Sequence, residues 1–422
     1  MNQIKPISIS LSPNTQPDDI RLAFGLKFKP CKWREGKEID ELENQFKNYL
    51  GVKYAASFNS GRSSLMAILN ALELEKGSEV LLQAFTCNAA ANPIIWSGLN
   101  PVYVDVNEQT FNIDSEDLRR KISAKSRVVI VQHTFGLPAE MDEIAEICQE
   151  HNLILIEDCA HSLGAEYSPP HQNSGGGGKG KKIGTFGKAA FFSFSRDKVI
   201  SSVYGGMVTT NSDELARKIR EYQERIGFPS YCWIAQQLLH PVLMNWLILP
   251  TYRPLGKYLL VMLQRLHILS KAVHWKEKRG RIPGYFPRRL PNALATLGLN
   301  QFKKLEKFNR HRKEIAEFYR QELKNTRLEL SPEREQIYLR FTVKHPKAHE
   351  IIRKAWNSNI LIGDWYTTAL APYDTELERM QYVMGSCPAA EKLAEETLNL
   401  PTHINITEEE ARRVVGFLKQ WS

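Results

Sequence analysis

Short apolar runs alternate with helix-like stretches between residues 38 and 215, and this alternation restricts the possible folds more than any other feature. The runs VLLQAF, PVYVDV, RVVIVQ and LILIED have the length and apolar content of strands that are covered on both faces. Between them, SSLMAILNAL and DEIAEICQEH carry apolar residues at spacings of three and four, as helices packed on a sheet do. The pattern predicts an α/β domain with a mainly parallel sheet, covered by helices and joined by right-handed crossovers.

Composition changes along the chain predict four segments. They are an N-terminal arm, a large α/β domain, a basic and apolar helical insertion, and a small C-terminal α+β domain, at 1–37, 38–230, 231–289 and 290–422. Within the large domain, the glycine-rich stretch 168–182 is predicted to be an exposed, mobile loop because it lacks apolar residues. It contains a phosphate-loop match at 175–181, which we set aside because Lys182 follows in place of Ser or Thr and no strand precedes it.

The chain is basic, with 56 Lys and Arg against 47 Asp and Glu and a formal charge of +9. This excess favours an anionic partner, which the charge alone does not identify. The six cysteines form no CxxC pair, so neither a metal site nor a disulfide framework is predicted. The N-terminus lacks an apolar signal stretch, and we therefore expect a cytoplasmic location. The basic residues form no known nucleic-acid-binding motif, so no nucleic-acid partner is expected.

A buried strand ends in two carboxylates in LILIEDCAHSLGA, where Glu157 and Asp158 precede a run of small residues. Open α/β sheets bind ligands at the carboxyl ends of their strands. A carboxylate at that edge can pair with the protonated ring nitrogen of a pyridinium cofactor. A helix N-cap is the alternative role for Asp158.

A lysine lies between two apolar strands in GTFGKAAFFSFSRDKVISSVYGGMVTT. In a desolvated site the amine of Lys198 would lose affinity for protons and become a nucleophile towards an aldehyde. The hydroxyls of Ser193 and Ser195 lie nearby in the sequence and suit a phosphate ester. A solvated loop lysine is the alternative.

The start of a predicted helix forms a third candidate site in SFNSGRSSLMAILNAL. Free backbone amides and the helix dipole favour an anion there. The residues at this start are Ser60, Gly61, Arg62, Ser63 and Ser64. A simple serine N-cap is the alternative.

In chain order, SGRSSL, DVNEQTFNID, HTFGLPAEMDEI, EDCAHSLGA, FFSFSRDK and LNLPTHINITEEE resemble segments of the DegT/DnrJ/StrS-type sugar aminotransferases, a fold-type I pyridoxal-phosphate family. The resemblance implies a fold-type I α/β architecture with pyridoxal 5′-phosphate bound to Lys198 as a Schiff base. It also implies that Asp158 pairs with the pyridine nitrogen and that His161 lies near the phenolic oxygen. Ser193 and the turn 61–63 would hold the phosphate.

The implied reaction transfers an amino group from an amino acid, glutamate by resemblance, to a keto-sugar carried on a nucleotide. Such a reaction belongs to amino-sugar or surface-polysaccharide biosynthesis. A histidine in place of Lys198 marks the dehydrating branch of the family, so the lysine argues for transamination. Two alternatives stay open. The cofactor could serve dehydration or epimerisation, or the chain could be an altered member that acts as a cofactor-binding regulator or a membrane-associated scaffold.

Several residues depart from the family pattern. Cys87 stands where the family has an aromatic side chain that stacks on the cofactor ring, so Phe85 is the candidate replacement. Val203 and Tyr204 replace a glycine and a glutamate before the Gly-Gly turn. In GYFPRRL, Phe286 replaces an asparagine of a segment that in the family reaches across a dimer interface, while Arg289 keeps the family's arginine. By this resemblance we expect a homodimer.

The segment 231–289 is the feature that the resemblance does not explain. From Arg253 to Arg289 it contains ten Lys or Arg and one acid, Glu277, beside apolar stretches that carry tryptophan. Cations next to Trp and Leu are typical of helices that lie in a membrane interface. The segment is therefore compatible with two interpretations, one of which is peripheral contact with the inner face of an anionic membrane. A helical hairpin at a subunit interface, with a solvated basic face, is the alternative.

Overall fold

A computed structural model describes residues 5–168 and 180–421. The α-helices in these ranges are α1 (Pro17–Lys27), α2 (Lys37–Leu50), α3 (Gly61–Ala71), α4 (Asn88–Trp96), α5 (Ser115–Lys121), α6 (Met141–Glu150), α7 (Asp213–Ile226), α8 (Tyr231–Leu243), α9 (Lys257–Arg265), α10 (Asn292–Phe302), α11 (Leu305–Leu323), α12 (Ala348–Asn357), α13 (Pro388–Glu396) and α14 (Glu408–Leu418).

The strands in the same ranges are β1 (Ile7–Ser8), β2 (Tyr54–Phe58), β3 (Glu79–Gln83), β4 (Thr86–Cys87), β5 (Asn100–Val104), β6 (Ser126–Gln132), β7 (Ile154–Asp158), β8 (Glu166–Tyr167), β9 (Lys181–Lys182), β10 (Ala189–Ser193), β11 (Gly206–Thr210), β12 (Glu329–Leu330), β13 (Phe341–Lys344), β14 (Ile360–Leu361), β15 (Leu370–Ala371) and β16 (Thr397–Leu400).

A seven-stranded sheet forms the centre of the molecule, in the order β2-β11-β10-β7-β6-β3-β5. Its strands are parallel except β11, which runs antiparallel to both of its neighbours. The four apolar runs read from the sequence form β3, β5, β6 and β7. Helices α2, α6 and α10 bury apolar side chains on one side of the sheet, and α3, α4 and α7 do so on the other. The predicted α/β architecture is confirmed.

A smaller antiparallel sheet, β12-β13-β16, packs with α11, α12 and α14 around a core of its own. Other parts of the C-terminal third belong to the core of the large sheet. Helix α10 contributes Leu294 and Leu297 to one side of that core, and Tyr366 lies on the other side. The arm also reaches the C-terminal region, because β1 pairs with β14. The four segment boundaries drawn from the sequence stay predictions.

The segment 231–289 is largely helical from Tyr231 to Arg265, and the rest of it consists of turns and irregular chain with one short 3₁₀ helix, Glu277–Arg279. After α8 the chain makes two π-helical turns, Met244–Ile248 and Tyr252–Gly256, and continues into α9. Met244, Ile248, Leu249, Leu263 and Leu269 bury one another in a small separate core. Among the helices of the described ranges, none has the length and apolar content needed to cross a membrane.

The glycine-rich stretch 168–182, with its phosphate-loop match, falls mostly outside the described residues. Only its ends are described. There Tyr167 and Glu166 of β8 pair with Lys181 and Lys182 of β9 in a short antiparallel ladder. The end of the predicted loop at Lys181–Lys182 is therefore strand rather than loop.

Candidate active site

A cavity of about 310 Å³ lies at the carboxyl ends of β7 and β10. Its walls come from the N-terminal arm, the large domain, the 231–289 segment and the C-terminal region. Of the site residues predicted from the sequence, those that line it are Gly61, Arg62, Cys87, Asp158, His161, Ser193 and Lys198. Ser60, Ser63 and Phe85 are buried close by and do not line it. Residues scattered over about 140 positions are thus brought to one edge of the sheet, where α/β folds bind ligands.

Lys198 places its amine 2.9 Å from Nε2 of His161. Burial lowers the pKa of Lys198, although the neighbouring Asp197 acts in the opposite direction. Burial holds the pKa of His161 well below its ordinary value of 6.5, so the imidazole is neutral. The Phe135 amide lies 3.4 Å from Nδ1 as a donor, which assigns the ring proton to Nε2. Facing that proton, Lys198 can accept only as a free amine, which is the nucleophilic form.

Asp158 ends β7 and is buried. Burial raises the pKa of its carboxyl from 3.8 to about 6. Within the described chain its carboxylate accepts one hydrogen bond, 2.9 Å from the Ala160 amide, and no described α-helix begins there. The N-cap alternative is therefore not what the structure has. A buried carboxylate on a cavity wall without a close cation suits a positively charged ring nitrogen.

The start of α3 meets the end of β10 on the cavity wall. Ser60 caps the helix by accepting from the Ser63 amide at 3.0 Å, so the N-cap alternative holds for this serine. The amides of Gly61 and Arg62 lie in the first turn of the helix and therefore have no acceptor within it. A Cβ on Gly61 would lie 3.1 Å from Cβ of Ser193, which explains the glycine. The Ser193 and Ser195 hydroxyls, 3.1 Å apart, complete a set of donors that suits a phosphate ester.

Taken together, these groups fit pyridoxal phosphate. The cavity offers a nucleophilic amine for the aldehyde, a carboxylate for the ring nitrogen, and amide and hydroxyl donors for the phosphate. The role of each residue stays a prediction, since the fit rests on the chemistry of the donors.

Phe85 differs from its predicted position over the cofactor ring. Its backbone lies in the left-handed region, with φ of 56°, and its ring is buried in the core. There it packs 5.9 Å from Phe111 and 5.3 Å from Tyr366, measured between ring centroids. The aromatic side chains that do line the cavity are those of Phe191, Trp365 and Tyr366. Cys87 lines the cavity as well, and burial raises the pKa of its thiol.

Sequence reasoning missed several side chains at the site. Arg340 is buried, pairs with Asp197 at 2.7 Å and stacks 3.5 Å above the ring of Trp365. The two charges of this pair act on Lys198 in opposite directions: the Asp197 carboxylate raises the pKa of its amine and the Arg340 guanidinium lowers it. Asp197 could have been found, because it precedes Lys198 in the quoted motif. Arg340, Trp365 and Tyr366 lie in no motif, and only the fold brings Trp365 and Tyr366 to the cavity wall and Arg340 against Asp197.

The 231–289 segment forms part of the cavity wall, where it contributes Met244, Leu260, Gln264, Ala272 and Val273. Several polar contacts hold it there. Arg196 donates to the Ser270 carbonyl at 2.7 Å, and Tyr204 donates to the Lys271 carbonyl at 2.6 Å. The segment therefore closes one side of the site from within the same chain.

Phe286 is also buried within its own chain. Its ring lies 5.4 Å from the guanidinium of Arg62 and 6.3 Å from the ring of Tyr204. Arg289 stacks 4.4 Å from the ring of Phe228. In this chain both side chains thus make intramolecular contacts at the place where the family segment was expected to reach a partner.

Arg62 and Glu277 form a fully buried ion pair between α3 and the 231–289 segment. Burial opposes the charge on Arg62, but Glu277 beside it raises the pKa of the guanidinium. Burial also raises the pKa of Glu277, and Arg62 counteracts that rise. Glu277, the single acid of the basic stretch, therefore fastens the segment to the site.

Replacing Glu277 by Gln should lower the free energy of unfolding by ~3 kcal/mol, because the Arg62 charge stays buried without its partner. Urea unfolding followed by circular dichroism measures the change. Glu376→Gln is the matched control. Its partner Arg279 lies 3.1 Å away in a half-exposed pair, so a loss within about 0.5 kcal/mol is expected. Equal losses in the two variants would contradict the role given to Glu277.

The sequence model of the DegT/DnrJ/EryC1/StrS aminotransferase family matches residues 28–242 and 255–419. The interruption at 243–254 falls inside the 231–289 segment. A GDP-perosamine synthase of Vibrio cholerae is 25% identical over 405 residues, covering 92% of this chain and 91% of its own length. A UDP-N-acetyl-3-dehydro-α-D-glucosamine 3-aminotransferase of Acidithiobacillus ferrooxidans is 26% identical over 410 residues, covering 96% and 94%.

A solved structure shares the whole fold. Helicobacter pylori PseC, an aminotransferase involved in the biosynthesis of pseudoaminic acid, superposes with a TM-score of 0.73. It is 22% identical, and the match covers 99% of each chain. At that identity the likeness speaks for the fold alone.

Proposed function

Because the chain belongs to the DegT/DnrJ/EryC1/StrS aminotransferase family and is a pyridoxal-phosphate-dependent sugar aminotransferase, we propose that it moves the amino group of glutamate onto a keto-sugar carried on a nucleotide. The two sugar-processing relatives described above support a nucleotide-linked acceptor. The amino-sugar product would enter polysaccharide biosynthesis. Glutamate as the donor rests on the family resemblance.

The arrangement of Lys198 carries this proposal. Burial lowers the pKa of its amine, which lies 2.9 Å from Nε2 of His161 and shares one cavity with Asp158. Pyridoxal phosphate, when bound, supplies an electron sink for the negative charge that develops at a substrate carbon as its proton leaves. Transamination needs a base beside that carbon, and Lys198 is the base that the cavity presents.

Each of the residues that line the cavity then has a distinct role in the reaction. Lys198 accepts at Nζ the proton that leaves the substrate carbon and would return it to the carbon on the other side of the substrate nitrogen, and His161 keeps Nζ oriented through its Nε2 proton. Asp158 holds negative charge where the ring nitrogen must stay protonated. The amides of Gly61 and Arg62 and the hydroxyl of Ser193 hold the phosphate.

Positive charge on the cavity wall suits the anionic substrates. Arg62 and Arg196 line the cavity and are buried. Guanidinium groups bind the carboxylates of glutamate and the diphosphate of a nucleotide in the same bidentate manner. The substrates, unlike the cofactor, enter and leave; Arg196, which forms no ion pair within the described residues, gives them a place to bind, whereas Arg62 is held by Glu277.

A label transfer experiment tests the donor and the reaction class together. Glutamate labelled with ¹⁵N at its amine is mixed with the protein, pyridoxal phosphate and a panel of nucleotide-linked keto-sugars. We expect ¹⁵N in one sugar product, with 2-oxoglutarate formed in equal amount, detected by mass spectrometry. A sugar that loses water or changes configuration without gaining nitrogen would favour dehydration or epimerisation. No turnover of glutamate with any acceptor would favour the regulator or scaffold.

The homodimer, which rests on the family resemblance, and the cytoplasmic location, which rests on the sequence, stay proposals. Peripheral contact of 231–289 with an anionic membrane was predicted from composition alone. That contact is a separate proposal, which depends on the surface of the segment and is independent of the chemistry in the cavity.

A further inference from the structure

We propose that the outer face of the 231–289 segment docks on an anionic phospholipid surface. The exposed apolar side chains of this face, together with the cations around them, form what we call the docking face. Its apolar side chains are Trp246, Leu247, Leu255, Tyr258, Val261, Met262, Leu266, Ile268, Trp275 and Ile282. The proposal goes beyond aminotransfer and does not depend on it.

Helix α9 shows the docking face most clearly. Tyr258, Val261, Met262 and Leu266, at spacings of three, four and eight, form one stripe along the helix and its end. They are 63%, 48%, 48% and 61% exposed. A helix of a water-soluble protein normally turns charged residues outward, but here the outward stripe is apolar.

The inner side of α9 is already occupied. Leu263 is buried in the small core of the segment, while Leu260 and Gln264 line the cavity. The helix is therefore apolar on both sides, and only the inner side has partners within the described chain. Within the described residues, no other part of the chain covers the exposed stripe.

Exposed apolar side chains are concentrated on this face. Of the 18 large apolar side chains that are exposed among the described residues, ten belong to the docking face. The N-terminal arm extends the patch, because the Phe24 ring lies 5.3 Å from that of Trp246 and 5.2 Å from that of Phe28. A patch of this kind marks an interaction surface rather than the scattered apolar exposure that all proteins show.

The charges around the apolar side chains that have no ion-pair partner among the described residues are all positive. Arg253, Lys257, Arg265, Lys271 and Arg281 are exposed, and none forms an ion pair with a carboxylate of the described residues. The one acid of the stretch, Glu277, is buried against Arg62 and gives the surface no negative charge. Unpaired cations beside Trp, Tyr and Leu match the negative headgroups and apolar boundary of an anionic bilayer.

This charge argues against a second copy of the chain as the occupant. A twofold interface sets one surface patch against the same patch of the partner. The unpaired cations of one docking face would then approach those of the other, and the acids beside the segment, Asp374 and Glu376, are already paired with Lys278 and Arg279. An anionic lipid surface pairs with every cation at once.

Docking would also orient the active site. Since α9 presents one side outward and the other to the cavity, a docked enzyme has its cavity directly behind the lipid-facing helix. The cavity would then lie at the membrane surface, where sugars are attached to lipid carriers.

Vesicle co-sedimentation tests the docking face. The probes are vesicles of equal parts phosphatidylglycerol and phosphatidylcholine, and vesicles of phosphatidylcholine alone. We expect the full-length protein to pellet with the first, to stay in solution with the second, and to be released by salt. The variant Tyr258→Ser/Val261→Ser/Met262→Ser/Leu266→Ser should weaken binding by about tenfold or more, because the apolar stripe is lost.

A matched control removes exposed apolar side chains elsewhere. Tyr373, Val383 and Met384 are 80%, 70% and 64% exposed, and Tyr373→Ser/Val383→Ser/Met384→Ser should bind vesicles as the parent does. Circular dichroism and glutamate turnover without vesicles should match the parent in both variants, which separates docking from folding and from aminotransfer. Absence of binding to anionic vesicles by the parent would overturn the proposal. Dissociation of an oligomer in the α9 variant alone, in analytical ultracentrifugation, would show instead that the face joins two copies.

Discussion

Replacing Lys198 by Ala should abolish amino transfer, with a fall in rate of at least about a thousandfold, while the fold is retained. The alanine removes both the amine that holds the cofactor and the base that moves the proton. It leaves a small space in a cavity that is already open to ligands, so the free energy of unfolding should change little. The rate of 2-oxoglutarate formation from glutamate measures the effect, and circular dichroism checks the fold.

Lys188→Ala is the control for Lys198→Ala. Lys188 is an exposed lysine that precedes β10, ten residues earlier in the chain, and its side chain does not line the cavity. The control should retain parental activity. If Lys198→Ala kept more than a tenth of the parental rate, Lys198 would be neither the anchor nor the base.

Asp158→Asn should lower the rate of amino transfer by about a hundredfold or more, because an amide cannot keep the ring nitrogen charged. The same change should stabilise the cofactor-free protein at neutral pH. Burial raises the pKa of Asp158 from 3.8 to about 6, so ionising this carboxyl costs more in the folded than in the unfolded chain. The difference of about two pKa units corresponds to ~3 kcal/mol, which the asparagine would recover in large part.

The raised pKa of Asp158 determines the pH range in which its carboxyl destabilises the folded protein. Because the folded pKa lies above the unfolded pKa, the carboxyl costs nothing while it is protonated in both states, below about pH 4. The penalty grows as the pH rises from about 4 to 6, and it is fully present above 6. The gain of Asp158→Asn in urea unfolding should therefore be large at pH 7 and small at pH 4. An equal gain at both pH values would contradict the origin of the effect in the buried charge.

The residues that sequence patterns located share a local cause. The strands β3, β5, β6 and β7 are short apolar runs. Strands of a parallel sheet are buried on both faces and are therefore nearly continuous in apolar residues, which makes them recognisable in the sequence. Asp158 and Lys198 were singled out because a charged residue at the end of such a run is unusual. Chemistry that depends on neighbours in the sequence can be inferred from the sequence.

Residues that meet only in three dimensions were not found. Trp365 lines the cavity and Arg340 pairs with Asp197 behind it; both come from the C-terminal region, far along the chain from Lys198, and neither belongs to a repeating pattern. Phe85 was expected over the cofactor ring because it is two residues from Cys87, but its left-handed backbone and three aromatic neighbours keep its ring in the core. Side-chain direction at a strand end depends on tertiary packing, which spacing alone does not specify.

The role of Glu277 could not be predicted from the composition of the segment around it. In the sequence it is one acid among ten cations and reads as part of a solvated basic surface. In the structure it is fully buried and paired with Arg62 at the start of α3. The segment therefore has an inner side that completes the active site and an outer side that the rest of the described chain leaves exposed.

The absorbance spectrum of the purified protein with pyridoxal phosphate, before and after glutamate is added, tests the central claim most directly. A visible band of lysine-bound cofactor should form with the parent and disappear on addition of glutamate, as the cofactor takes up the amino group. The band should return when a keto-sugar acceptor is added. If the protein failed to bind the cofactor, or if Lys198→Ala gave the same band and the same response to glutamate, the assignment of this cavity as an aminotransferase site would be contradicted.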